Sequence, residues 1–297
     1  MGTRVELMHM FRTLLVPTDG SPGAEATVEH AAELAQAYGA AVHALYVVEV
    51  GDEPIGLSGE DRTELHESSE RRGREATIRI AEQAEQQGLD AARSVREGTP
   101  HSAILDYVDE HDVDLVVMGT HGRTGVDRVR LGSTTERVLM RSDVPVLSVR
   151  LTDDPVEDVS YDRIVVPTDG SDAAERAADT ALDVAEKYDA DVHAVYVIDP
   201  TTFDLEDAPR SIIGMLKQGG RTATDEIAAM ARDRGLDSGT DILRGLPSEE
   251  LLEYASGVDA DLLAMGTRGR AVGSGRLMGS TTARVVRRSP IPVLTVD

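Results

Sequence analysis

The sequence predicts an α/β protein of two tandem doubly wound domains, and three observations carry that prediction. A chain of 297 residues suits two domains at roughly 150 residues each. A set of short motifs is written twice in the same order. Within each copy, short β-branched runs alternate with Ala-rich stretches of helical spacing.

The repeat is explicit. Pro17-Thr18-Asp19-Gly20-Ser21 returns as Pro167-Thr168-Asp169-Gly170-Ser171, displaced by 150 positions (19 to 169), and Val42-His43-Ala44 returns as Val192-His193-Ala194 at the same displacement. Met118-Gly119-Thr120 returns as Met265-Gly266-Thr267, and Gly132-Ser133-Thr134-Thr135 as Gly279-Ser280-Thr281-Thr282, both displaced by 147 positions (132 to 279). The second copy is therefore shorter between its second and fourth strands.

Taken in order, Thr13 to Val16 reads as a strand and Ala24 to Tyr38 as a helix, leading into the apolar run Val42 to Val48. Strand and helix then alternate through Ala91 to Arg96, His101 to Asp109, Asp114 to Met118, Thr134 to Arg141 and Pro145 to Val149. Each copy thus holds five strands and four helices. Runs such as Leu115-Val116-Val117-Met118 have no polar face, so the sheet is expected to be parallel with helices covering both sides. The acidic stretch around Asp153 to Asp158 cannot bury itself and reads as a linker. This places the domains at 1–152 and 160–297, with 153–159 between them. The segments Gly51 to Asp61 and Pro200 to Pro209 read as loop insertions.

Composition removes several function classes. There is no cysteine, which excludes disulfides, thiolate metal sites and cysteine nucleophiles and fits a reducing, cytoplasmic setting. Met1 to Met10 holds no apolar core of signal-peptide length, and no run approaches the ~18 apolar residues of a membrane span. A net charge of −24 disfavours nucleic acid and anionic membranes as partners. Nearly all cations are Arg, with Lys187 and Lys217 the only lysines, and the acidic surface reads as a halophilic, high-salt adaptation.

Chemistry is expected at the carboxyl ends of the strands, where open parallel sheets bind ligands. One segment there is Asp19-Gly20-Ser21. Another has the pattern Gly119-x2-Gly122-x9-Gly132-Ser133, matched at the same spacing by Gly266-x2-Gly269-x9-Gly279-Ser280. Glycines allow close backbone approach, and Gly132-Ser133-Thr134-Thr135 opens a helix whose unpaired amides and dipole suit an anion. The loop is basic, with His121, Arg123, Arg128 and Arg130 in one copy and Arg268, Arg270 and Arg276 in the other. The loop cations are read as phosphate contacts against the alternative of a solvated loop. A P-loop is absent, and Gly273-x-Gly275-x3-Gly279 misses the dinucleotide spacing by one residue.

These motifs resemble the ATP-binding branch of the universal stress protein family, over Phe11 to Arg150 and Tyr161 to Asp297. The resemblance implies a five-stranded parallel sheet of order 3-2-1-4-5 in each domain, of the adenine nucleotide alpha hydrolase-like type. It also implies an adenine-nucleotide site in each domain, for ATP or a relative, with or without Mg2+. By the same resemblance, Asp19 and Val47 would meet the adenosine, and Gly119, Gly122, Gly132, Ser133 and Thr134 would hold ribose and phosphates. Pro17, Thr18, Met118, Arg123 and Thr135 complete the first set. The second set is Pro167, Thr168, Asp169, Val197, Met265, Gly266, Gly269, Arg270, Gly279, Ser280, Thr281 and Thr282. In the family the last strand mediates dimer contacts, which implies an intramolecular pseudo-dimer, with a homodimer as a further option.

Plainer readings stand beside these. Asp19 or Ser21 can cap the first helix, and Gly132 and Gly279 can be turn glycines. His43 and His193 read as packing residues. His121 faces Arg268 in the alignment of the copies, so a shared histidine base is not expected. No second carboxylate stands out beside Asp19 or Asp169, and no catalytic or metal-ligating residue is assigned. The functional expectation is a nucleotide-gated stress-response or signalling module. An ATP-consuming or autophosphorylating enzyme, and a structural tandem module without ligand, are the alternatives.

The acidic surface carries a direct test, since salt shortens the Debye length to ~3 Å at 1 M. The melting temperature is expected to rise between low and molar KCl in thermal denaturation; a flat or falling profile contradicts high-salt adaptation.

Overall fold

The computed structural model describes residues 10–21, 24–50, 58–121, 131–150, 159–201, 209–269 and 277–297. They form two compact units, Met1–Val117 and Met118–Asp297.

In the first unit the chain runs β1 (Thr13–Thr18), α1 (Ala24–Tyr38), β2 (Ala41–Glu49), α2 (Gly59–Gln86), β3 (Ala91–Gly98) and α3 (Pro100–Glu110) into β4 (Leu115–Gly119). β1 pairs in parallel with β2 and with Leu115 and Val116 of β4, and β2 pairs in parallel with β3. The order is therefore β3-β2-β1-β4. Leu14, Leu15 and Val16 are fully buried, as are Leu115, Val116 and Val117, which explains their unbroken apolar sequence. The Asp114 carboxylate accepts from the amides of Arg12 at 2.7 Å and Thr13 at 3.0 Å, pinning the entry of β4 to that of β1.

The second unit continues with α4 (Ser133–Leu139) and β5 (Val146–Val149), then β6 (Arg163–Pro167), α5 (Asp172–Tyr188), β7 (Asp191–Ile198), α6 (Arg210–Asp233), β8 (Ser238–Arg244), α7 (Pro247–Gly257), β9 (Leu262–Gly266), α8 (Ser280–Arg288) and β10 (Val293–Val296). The second repeat realises the expected order in full, β8-β7-β6-β9-β10, with every pair parallel. β10 also pairs antiparallel with β5, Leu294 opposite Leu147, and Thr295 Oγ1 donates to the Val146 carbonyl at 3.1 Å. This pairing groups the last strand of the first repeat with the second. The compact units and the sequence repeats are thus different divisions of the chain, and the acidic segment 151–158 lies outside the described residues.

Equivalent aromatics close the same end of each repeat. Phe11 meets Tyr38 edge-on at 4.9 Å, and Tyr161 meets Tyr188 at 5.2 Å. Each pair seats the start of a central strand against the end of the next helix, which accounts for large rings in a chain that has few. His43 and His193 also act in packing: His43 Nδ1 lies 3.1 Å from Tyr107 Oη, and His193 Nδ1 lies 2.9 Å from Tyr254 Oη, which donates to Asp241 at 2.7 Å. No helix among the described residues is long and apolar enough to cross a membrane.

One buried titratable group couples this core to pH. His30 on α1 is 8% exposed, and burial pushes its imidazole down to about 4. The unfolded chain takes up this proton near 6.5, before the folded chain does. Stability from neutral His30 is therefore complete above about pH 6.5 and falls as pH drops towards 4, by about 3 kcal/mol. His30→Leu is expected to flatten that part of the denaturant-derived stability profile; parallel profiles for both proteins would refute the assignment.

Candidate functional site

The second repeat places its motifs around one cavity of about 590 Å³ at the carboxyl ends of β6, β7 and β9. The turn after β6 is built by its own polar side chains. Thr168 Oγ1 accepts from the Gly170 amide at 3.0 Å, and Asp169 Oδ1 from the Ser171 amide at 3.1 Å. Gly170 sits at φ 69°, the left-handed region that favours glycine. Ser171 caps α5, its hydroxyl accepting from the Ala174 amide at 3.3 Å. Capping therefore falls to Ser171, and Asp169 holds the turn with one oxygen. Its other oxygen faces Gly269, where a Cβ would stand 2.6 Å from Oδ2.

The loop between β9 and α8 is closed at its base by two hydrogen bonds. The Gly279 amide donates to the Thr267 carbonyl at 2.8 Å, and Thr282 Oγ1 donates to the Gly266 carbonyl at 2.9 Å. Thr282 is 3% exposed, so the hydroxyl read from the sequence as a ligand contact is committed to this closure. Gly279 is the N-cap of α8 and supplies no side-chain cap. The amides of Thr281 and Thr282 in the first turn of α8 thus receive no side-chain acceptor from the N-cap.

The glycines differ in kind. A Cβ on Gly266 would stand 3.0 Å from the backbone of Ala173 in α5, so helix packing requires this glycine. On Gly279 a Cβ would meet nothing nearer than 3.5 Å, and φ is −60°. Among the described residues, neither space nor backbone conformation demands glycine at that position.

Of the second candidate set, Pro167, Thr168, Asp169, Val197, Met265, Gly266, Gly269, Gly279, Ser280, Thr281 and Thr282 line the cavity. Arg270 lies outside the described residues, as does Arg276. Sequence reasoning missed Leu216 of α6, and Pro247 and Leu251 of α7, which add an apolar wall. Their signal is the position of α6 and α7 beside the strand ends, which no motif marks. It also missed Asp199, a second carboxylate on the same cavity, whose Oδ1 accepts from the Thr201 amide at 2.8 Å.

Arg268 also lines the cavity, but its guanidinium is engaged. Nε donates to Asp297 Oδ1 at 2.8 Å, Nη2 pairs with Oδ2, and Thr267 Oγ1 donates to the same carboxylate at 2.6 Å. The hydrogen bond from Arg268 holds the Asp297 carboxyl below its ordinary range, with help from Thr267.

The first repeat uses the same local devices. In the first unit, Thr18 Oγ1 accepts from Gly20 at 3.1 Å and Asp19 Oδ1 from Ser21 at 3.0 Å. Pro17 pairs with Leu45 near the end of the β1 ladder, and Val47 pairs with Arg96. In the second unit, Gly132 donates to the Thr120 carbonyl at 2.9 Å and Thr135 Oγ1 to the Gly119 carbonyl at 2.8 Å. Met118 is buried, Ser133 exposed and Thr134 half-buried. Gly132 is the N-cap of α4, and a Cβ there would meet no atom of the described residues nearer than 3.4 Å. Gly122, Arg123, Arg128 and Arg130 lie outside the described residues. His121 Nδ1 lies 2.8 Å from Thr120 Oγ1, and burial, with a smaller push from Arg150, lowers its pKa.

Fold and motifs together define a doubly wound α/β protein whose two repeats share the same turn and loop-closing hydrogen bonds. The model of the universal stress protein family matches residues 10–150 and again 160–297, and the chain belongs to that family. A universal stress protein of Methanocaldococcus jannaschii is 38% identical over 139 residues, covering 46% of this chain and 82% of that protein. One from Mycolicibacterium smegmatis is 27% identical over 296 residues, 95% of this chain and 96% of its own length. The crystal structure of a universal stress protein from Archaeoglobus fulgidus superposes with a TM-score of 0.73 at 25% identity, over 96% of both chains.

The two kinds of glycine separate in a stability measurement. Gly266→Ala is expected to cost ~1–3 kcal/mol through overpacking against α5. Gly279→Ser, which adds a favoured N-cap, is expected to leave stability within ~0.5 kcal/mol or raise it. Equal losses in chemical denaturation would mean that both glycines serve packing alone.

Proposed function

We propose that this universal stress protein binds an adenine nucleotide, ATP or a relative, in each repeat, and works as a nucleotide-gated stress-response or signalling module. One observation carries the reading. Gly279 stands at the start of a helix that its N-cap leaves without a side-chain cap, beside a cavity, in a place where the described residues leave room for a side chain. A ligand whose phosphates approach that backbone gives the glycine a reason, because a Cβ would take the ligand's space.

The remaining parts support it. The apolar wall of Leu216, Pro247 and Leu251 suits a base, while Asp169 and Asp199 offer acceptors for the hydroxyl and amino groups of a nucleoside. Two carboxylates on one cavity wall also suit Mg2+ accompanying the phosphates. The Gly132 amide on the Thr120 carbonyl and the Gly279 amide on the Thr267 carbonyl fix both helix ends in place, where a bound nucleotide would meet the same main-chain donors in each repeat. The antiparallel pairing of β5 with β10, the final strands of the two repeats, supports a pseudo-dimer within one chain. The domain limits 1–152 and 160–297 accord with that reading. A cytoplasmic setting agrees with the lack of cysteine.

Calorimetric titration with ATP is expected to give about two equivalents per chain, and Gly279→Ser to weaken one of them roughly tenfold or more, equivalent to ~1.4 kcal/mol. Wild-type heat without saturation, or unchanged binding in the variant, would remove the basis for the assignment.

A further inference from the structure

The helix α2 of the first unit is 28 residues long, yet its buried residues begin only at Gly73. The preceding part, roughly four turns at 3.6 residues each, extends beyond the core, started by a capping box in which Ser58 and Asp61 bond each other's backbone. On this outlying part, His66 and Glu70 lie one turn apart and so share a face. Across from them stands Glu97 of β3. His66 Nε2 is 3.3 Å from Glu97 Oε1, and the donor atoms of His66, Glu70 and Glu97 all lie within 4.8 Å of one another. Among the described residues this is the one group of three or more such donors within that distance.

We propose that His66, Glu70 and Glu97 form a site for a borderline divalent cation of the Zn2+, Co2+ or Ni2+ class, with water completing the shell. An imidazole nitrogen with two carboxylates fits that class better than Mg2+ or Ca2+, which prefer oxygen throughout. Ligands at ~2.1 Å from a tetrahedral ion stand roughly 3.4 Å apart, and His66 and Glu97 already meet that separation. Glu70 is oriented by Arg74, whose Nη2 lies 2.5 Å from Oε2. Bound metal would staple the unburied half of α2 to the end of β3.

The second repeat supplies an internal contrast. Gly73 and Gly220 occupy equivalent places, each packed so closely on a tyrosine that a Cβ would stand 2.5 Å from Tyr46 or 2.7 Å from Tyr196. Gly98 and Gly245, with φ of 142° and 157°, mark the ends of β3 and β8 in the same way. In that register His66, Glu70 and Glu97 correspond to Ile213, Lys217 and Arg244. One copy places three donors together, and the other has an apolar group and two cations, so the trio is not a by-product of the shared fold. Any metal held there belongs to the first repeat alone and is independent of the nucleotide reading.

Full-length protein, stripped with chelator and kept free of nucleotide, tests this with zinc chloride. Zinc is expected to shift the imidazole resonances of His66 in NMR spectra, saturating at one equivalent for that residue, and to raise the melting temperature. Glu97→Gln, a mild surface change, should weaken the response of His66 by about tenfold or more. His66→Ile/Glu70→Lys/Glu97→Arg, which copies the second repeat, should abolish the thermal shift while the circular dichroism spectrum stays unchanged. Magnesium chloride at the same concentration should leave the His66 resonances in place. The site is overturned if zinc saturates other histidines without moving His66, if Glu97→Gln responds like the wild type, or if magnesium acts equally.

Discussion

The candidate site of the second repeat depends on the closure at the base of one loop. A strand that ends at Gly266 and a helix that begins at Ser280 are joined by the Gly279 amide on the Thr267 carbonyl and by Thr282 Oγ1 on the Gly266 carbonyl. Both bonds use groups that would otherwise be unpaired in a buried place, where an unmade bond costs ~1–3 kcal/mol. They hold the start of α8 at the sheet's carboxyl edge. The turn at Asp169, the apolar wall and the uncapped helix end face a common space only because that helix is fixed there. The same pair of bonds recurs at Gly132 and Thr135, so the device belongs to the repeat and not to one copy.

Around this common base the copies have diverged in charge. The second repeat ties its loop to the end of its last strand through Arg268, Thr267 and Asp297, and the backbone carbonyl of Asp297 receives Arg176 Nε from α5 at 2.6 Å. In the first repeat the equivalent positions are His121 and Arg150. There the second group is a cation and lowers the pKa of the first. His121 Nε2 is buried with no hydrogen-bond partner among the described residues. An ion pair braces one loop, and a neutral imidazole with a single bond to Thr120 braces the other. The two loop roots are therefore alike in their backbone bonds and unlike in the side chains that stiffen them.

Much of the architecture is legible in the sequence because periodicity and repetition report burial directly. Leu115 to Met118 read as a doubly covered strand, and all four are buried. The order 3-2-1-4-5 comes from family resemblance, and the second repeat realises it. Helix α2 starts at Gly59, inside the segment read as a loop to Asp61, because Ser58 and Asp61 form a capping box there; α6 begins beyond an unpatterned insertion, so its place in the cavity wall is not legible, and Leu216 touches the cavity through tertiary placement alone. Asp199 escapes notice for a related reason, since it stands where the first repeat has Glu49 in an otherwise unremarkable strand end. Thr282 and Thr135 read as hydroxyl donors to a ligand, because sequence cannot tell a helix's outer face from the side on which a carbonyl waits.

The engagement of Arg268 bears on how an anion would be held. A guanidinium already bonded to Asp297 by two of its nitrogens is close to charge-neutral as a pair, and a phosphate recruiting it must either share it or displace the carboxylate. In a chain of net charge −24, displacing the partner returns a negative charge to the mouth of the site. Backbone amides carry no such penalty: they are fixed by the loop closure, they have no competing side-chain cap at Gly279, and their dipoles add along α8. Within the nucleotide reading, then, recognition in the second repeat rests on main-chain donors first, and Arg268 serves to hold the loop's root where those donors can be reached.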